Sequence, residues 1–302
     1  MRGLALGALA VATAAGPASV FAAEPRPFGL VVMDAQGQFV ADVRAEDVRV
    51  LENGEPRELA GFERDERPLA AYLVLDTSAG AARVFRTQAF ESVWTFVSSL
   101  PKDARCTLFS TGDRARKLGV LDGERKDVEK KVGQGFALAG SNALMDTLVE
   151  AAEALARESG KRRALVVLSG NGAGYPSYSP GDVVARARRP LAPVLALMYG
   201  DGAGAAAGSL RLGDSPRDAQ NLTIVTESDH EKILSGLAQS TGGRFERVPS
   251  ALGVGTTFAA LAGELGGQYR VRYRPGEGEG PRRLEVRVAR PGVHWRVTLD
   301  NP

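Results

Sequence analysis

Ala71-Tyr72-Leu73-Val74-Leu75-Asp76-Thr77-Ser78-Ala79-Gly80 is the stretch that decides the fold. Its first five residues are a nearly continuous apolar run, the pattern of a central parallel strand buried on both faces. The run ends in a carboxylate followed by small and hydroxyl residues. A helical stripe comes next (Val84, Phe85, Ala89, Val93, Trp94, Phe96, Val97, Leu100), stopped by Pro101. The same alternation repeats downstream. Strands are predicted at Arg105–Ser110, Ala115–Leu121, Ala164–Ser169, Val194–Tyr199 and Arg244–Val248. Helices are predicted at Ala143–Arg157, Asp182–Arg189, His230–Ser240 and Thr256–Leu265. Buried strands alternating with amphipathic helices predict an α/β fold with a doubly wound, mostly parallel sheet. In such sheets functional groups collect where strands end and helices begin.

The flanks follow a different rule. Phe28–Met33, Val48–Leu51 and Arg57–Phe62 read as short strands, with Asn53-Gly54 as a hairpin turn because both residues tolerate positive φ. At the other end, Gln268–Pro275 alternates with period two, and Arg283–Ala289 and His294–Leu299 continue it. Neither flank has enough strands for its own core, so the antiparallel N- and C-terminal segments are predicted to pair into a small sandwich. The organisation is a signal peptide at 1–22, an N-terminal β segment at 23–67, the α/β domain at 68–267 and a C-terminal β segment at 268–302. The signal reading rests on Arg2, the apolar stretch Leu4–Val20 and small residues at Val20 and Ala22, with cleavage after Ala22 or Ala23. It implies an exported protein, periplasmic or extracellular, with no membrane span in the mature chain. Gly200–Ser228 has no clear period and reads as a long loop.

Composition excludes several functions. The chain has 302 residues and a formal net charge of +2, which removes the electrostatic motive for sequence-independent nucleic-acid binding. One cysteine and two histidines cannot build a Cys/His zinc site or an internal disulfide. Cys106 sits in an apolar run and reads as a core thiol. A hydrolase using Ser78 or Ser169 needs a base, and neither His230 nor His294 stands near these serines in sequence, so no catalytic residue is assigned. The arginines at 270, 272, 274, 282, 283 and 287 form either a basic face for an acidic partner or the solvated side of a sheet. Lys161-Arg162-Arg163 reads as a solubilising flank.

Three loops carry a family resemblance. Asp76-Thr77-Ser78-Ala79-Gly80 resembles the Asp-x-Ser-x-Ser loop of von Willebrand factor A domains. Gly140-Ser141-Asn142-Ala143-Leu144-Met145-Asp146 is similar to that family's second loop, and Leu168-Ser169-Gly170-Asn171-Gly172 stands where its third loop reads Leu-Ser-Asp-Gly. Asp47–Gly54, Ser240–Gly243 and Gln268–Pro275 are similar to the flanks of a bacterial exported branch, so the resemblance spans Phe28 to Thr298.

The resemblance implies a Mg²⁺ site, a hard cation seeking six oxygens. Here Asp76 and Ser78 are kept, and Asn142 replaces a Thr, offering an amide oxygen. Gly80 replaces the second Ser and Gly170 the third-loop Asp; Asn171 can supply a neutral oxygen. The expectation is a degenerate metal-ion-dependent adhesion site, with Asp76, Ser78 and Asn142 as weak Mg²⁺ ligands at most and no other cofactor. Without metal, Asp76 is expected to accept from the amides of Ser78 to Gly80, and Asp146 from amides at its own helix start. The implied function is an exported, non-catalytic protein-binding or scaffolding module. Its protein partner is expected to contact the strand-end face through Gly80, Asn171, Tyr175 and Tyr178. The alternatives are working Mg²⁺-dependent adhesion and a purely structural cell-envelope role.

Overall fold

In the computed structural model, strand β5 (Leu69–Leu75) is buried along its whole length. The structure describes residues 24–136, 142–170, 172–200, 226–277 and 282–299. The predicted signal segment, Ser141, Asn171 and most of the predicted 200–228 loop lie outside the described residues.

Around β5 are β6 (Arg105–Ser110), β7 (Arg116–Leu121), β8 (Arg162–Ser169), β9 (Val194–Tyr199) and β10 (Arg244–Val248). Among the described residues they form one sheet of order β10-β9-β8-β5-β6-β7. Every pairing is parallel except β6 with the edge strand β7. Strand periodicity divides β5 between two cores. Leu69, Ala71, Leu73 and Leu75 face α1 (Ala79–Ser99), α2 (Arg125–Gly135) and α6 (Val254–Glu264). Ala70, Tyr72 and Val74 face α3 (Leu144–Leu155), α4 (Pro180–Ala187) and α5 (Glu227–Thr241). This is the doubly wound sheet expected. Helix α2 is absent from the sequence reading, because its buried stripe is only Val128, Val132 and Gly135 among charged residues. Cys106 is a core thiol, and burial pushes it up to about 12. Among the described residues no helix is long and apolar enough to cross a membrane.

The two flanks do form a sandwich. One sheet has the order β13-β1-β11-β4, from β13 (His294–Thr298), β1 (Arg26–Met33), β11 (Tyr269–Tyr273) and β4 (Leu59–Arg64). The other runs β12-β2-β3, from β12 (Leu284–Val288), β2 (Val48–Glu52) and β3 (Glu55–Arg57). Phe28, Leu30, Val48, Val50, Val271 and Val286 close a single core between them. Asn53 (φ 55) and Gly54 (φ 86) make the β2–β3 turn as predicted. The segment Arg57–Phe62 is a correction: it is two strands, not one. β3 pairs with β2 in one sheet, and after Glu58 the chain crosses to pair β4 with β11 in the other.

Charged residues hold the modules together. Arg162, read as a solubilising flank, is only 7% exposed and donates to the carbonyls of Arg67 and Leu265, where the chain passes between sandwich and sheet. Thr241-Gly242-Gly243 fits a tight crossing. A Cβ on Gly242 (φ 68) would stand 1.8 Å from the Val297 carbonyl oxygen, and one on Gly243 would stand 1.9 Å from that of Val194. The alternating arginines are not a free basic face. Arg272 pairs with Glu63, Arg274 with Glu58, Arg282 with Glu52 and Arg287 with Glu285.

Glu52 is the buried member of that set, at 1% exposure. It accepts from the Gly276 amide (2.7 Å), Arg282 Nη1 (2.9 Å) and the Tyr273 hydroxyl (3.1 Å). Burial alone would raise its carboxyl; these donors outweigh that and hold it down at about 2, from 4.5. As pH falls, the unfolded chain takes up the proton first. The stabilisation is therefore full above pH 4.5 and is lost on descent towards pH 2. Glu52→Gln is expected to cost about 3 kcal/mol in urea unfolding at pH 7, the scale of a broken buried pair, and to flatten the stability loss between pH 4.5 and 2.

Candidate functional site

The C-terminal ends of β5, β6 and β8 meet around one carboxylate. Asp76 follows β5 and is fully buried. Its Oδ1 accepts from the Ser78 amide (3.0 Å) and the Thr111 hydroxyl (3.3 Å). Its Oδ2 accepts from Asn142 Nδ2 (2.9 Å) and the Gly170 amide (2.9 Å). A buried carboxylate needs such donors, since an unpaired one would carry the full desolvation cost. The Ser78 amide donates as expected, and three further donors come from three other loops.

Thr111 escaped the sequence reading. It sits just past β6, and its Oγ1 also accepts from the Thr77 amide (3.2 Å). The visible signal was a hydroxyl pair, Ser110-Thr111, at the end of a buried strand. Ser78 Oγ accepts from the Ala81 amide (3.3 Å) and so caps α1. Gly80 is the second residue of that helix.

The third loop lies against the second. The Asn142 amide donates to Ala173 O (3.2 Å). A Cβ on Gly174 would stand 2.0 Å from Asn142 O, and one on Gly172 3.6 Å from Ser78 Oγ. Asp146 does not cap its own helix, contrary to expectation. Its Oδ1 accepts from the Ser177 amide (2.9 Å) and its Oδ2 from the Ser177 hydroxyl (3.1 Å), which clamps the third loop to α3. Asp76, Ser78 and Asn142 are all 3% exposed or less beneath it.

The expected contact residues behave differently from one another. Tyr175 is half-buried. Tyr178 packs against the core of α3, α4 and α5, with the Arg186 guanidinium 4.8 Å above its ring, so much of its surface is already spent on the fold. Asn171 lies outside the described residues.

No protein-family model and no curated protein matches the chain. Among solved structures, a von Willebrand factor type A protein from Catenulispora acidiphila superposes with a TM-score of 0.50 at 13% identity, over 91% of this chain and 72% of that one. The fold is that of a von Willebrand factor A domain. BatB from Bacteroides thetaiotaomicron matches 65% of this chain and 98% of its own length, at 15% identity and a TM-score of 0.46. Manganese-loaded TRAP from Plasmodium vivax matches 80% and 98%, at 10% identity and a TM-score of 0.42.

The donor set of this von Willebrand factor A fold can be compared with the needs of Mg²⁺. Asp76 oxygens each hold two hydrogen-bond donors, Asn142 turns its NH₂ group towards them, and Gly170 and Gly80 bring no side chain. Among the described residues, no three His, Cys, Asp or Glu side chains cluster in a way that would hold a metal. These residues do not fit an octahedral oxygen site as they stand.

The fold brings one histidine closer than the sequence implied. His230, in the first turn of α5, is fully buried, within electrostatic reach of Asp76. Neither ring nitrogen has a hydrogen-bond partner among the described residues. Ser78 Oγ is engaged in capping, and Ser169 Oγ donates to Gly170 O (3.3 Å), so neither serine is hydrogen-bonded to it.

Two outcomes follow from this arrangement. Asp76→Ala leaves four donors unpaired and is expected to lower stability by at least about 2 kcal/mol in chemical denaturation, with or without Mg²⁺. Burial lowers the His230 imidazole below 6.5, opposed by Asp76 and Asp229. The unfolded chain therefore binds the proton first, and this stability is full above pH 6.5 and falls as pH drops below it. Denaturation midpoints from pH 7.5 to 5 are expected to fall less steeply in His230→Leu than in the native chain.

Proposed function

We propose that the chain is an exported, non-catalytic protein-binding module of von Willebrand factor A type, in the periplasm or outside the cell, that engages its partner without a bridging cation. One observation carries this reading: both oxygens of Asp76 are satisfied by the protein's own donors beneath a clamped third loop. A partner would then read the outside of that loop. Tyr175, with Pro176 and Ser177 beside it, offers an aromatic contact next to exposed polar groups, the mixture favoured at recognition surfaces.

A second, cation-dependent reading draws on a different observation. Asn142 Oδ1 is buried and has no hydrogen-bond partner among the described residues. A flipped amide would present that oxygen beside Asp76 to a cation. Calorimetric titration of the folded protein with Mg²⁺ and Mn²⁺ separates the two. The cation-free reading expects a flat titration, and a saturable signal abolished by Asp76→Ala would replace it with the second reading.

The binding face has its own test. Cross-linking in envelope extract is expected to capture the same partner in Mg²⁺ and in EDTA, and Tyr175→Ala is expected to weaken that capture at least about tenfold. Unchanged capture by the variant would move the interface away from the third loop.

A further inference from the structure

Gly170 stands where related loops carry a carboxylate, and its backbone gives no reason for a glycine. Its φ is outside the left-handed region, in contrast to Gly54, Gly200 and Gly242. The obstacle is a side chain. A Cβ built on Gly170 would lie 2.5 Å from both Oη and Cζ of Tyr199 and 2.9 Å from Cε2. Real Cβ contacts do not come that close, so the ring would have to move. It has nowhere to go. Tyr199 ends β9, is 2% exposed, and its ring lies 4.7 Å from that of Phe85 inside the core shared with α1 and α6. Close-packed interiors do not absorb a shift of this size without strain.

We infer that Tyr199 is the residue that excludes a cation from the strand-end site: its hydroxyl end fills the space from which a carboxylate at position 170 would project. The inference rests on the cation-free reading but makes a narrower claim. A pocket that was merely missing a ligand would be restored by replacing that ligand. Here position 170 and position 199 are coupled, and the carboxylate returns only if the ring leaves. Burial, and then the nearby Asp76 carboxylate, both raise the phenol, so what fills the space is a neutral group. The ring edge thus takes up volume, while the Gly170 amide, free of any side chain, donates to Asp76 Oδ2.

The test is a double-mutant cycle on the full chain, read by Mn²⁺ calorimetry and by thermal midpoint. Gly170→Asp alone is expected to lower the midpoint and to give a flat titration. Tyr199→Val alone is expected to fold and stay flat. Gly170→Asp with Tyr199→Val is expected to bind Mn²⁺ saturably where both single variants stay flat, and to lose that binding on Asp76→Ala. Gly170→Ala provides a fold-only control: its midpoint loss is expected to shrink in the Tyr199→Val background. Mn²⁺ binding by Gly170→Asp alone overturns the inference, as does a folded double variant with a flat titration. If the double variant fails to fold, an equal Gly170→Ala loss in both backgrounds overturns it and a reduced loss supports it. Mn²⁺ binding by the native chain would instead fail the cation-free reading itself, before either variant is made.

Discussion

A carboxylate with no access to water organises the strand-end face of this molecule. Asp76 must be met by donors from within the protein, and those donors lie on four separated stretches: Ser78, Thr111, Asn142 and Gly170. Meeting that requirement draws together the segments that follow β5, β6 and β8 and the one that precedes α3. In a cation site a metal would share this work by drawing oxygens inward from several loops. Here amide and hydroxyl hydrogens do it, and each bond is worth about 1–3 kcal/mol when its loss would leave a buried carboxylate unpaired. The loops are therefore positioned by the fold's own polar groups.

The two chain ends face a similar constraint on a larger scale. β1 can be completed only by β11 and β13, strands more than two hundred residues later in the chain. The central α/β domain lies between them as an insertion between strands of one sandwich. Its junction is polar: Glu264 at the end of α6 accepts from Arg244 of β10 and from Arg296 of β13. Asp65 accepts from Gln268 Nε2 and pairs with Arg67. Buried pairs of this kind are costly to break, so they favour a single relation between the modules at the points where the chain passes from one to the other.

A shared fold does not transfer a function, because function lies in the site. The strand-end face here has the architecture of a von Willebrand factor A domain with a different distribution of chemistry. Asn142 and the Gly170 amide turn donors towards Asp76, and the third loop is fastened down by Asp146. On the proposed cation-free reading, a partner meets the loop's outer surface. Of the two tyrosines there, both half-buried, Tyr178 packs under Arg186 and against the core of α3, α4 and α5.

Local pattern determined much of this protein. The period-two runs, the buried strand at 69–75, the Asn53-Gly54 turn and the alternation of strand with helix are written in spacing, and spacing survives folding because it reflects which face must be buried. The loops around Asp76 were legible for the same reason: they fall at strand ends. What local pattern lacks is partnership. That Arg57–Phe62 divides between two sheets depends on where β2 and β11 lie. That Arg272 and Arg274 are neutralised depends on Glu63 and Glu58 arriving beside them, and that Asp146 holds Ser177 depends on the third loop folding back. Thr111 joined the site, and Tyr199 came to stand against Gly170, only because parallel strands far apart in sequence end at the same level of the sheet. Tertiary structure decided those matters, since a hydrogen bond or a steric exclusion depends on the distance between two atoms, and the sequence specifies that distance only through the whole fold.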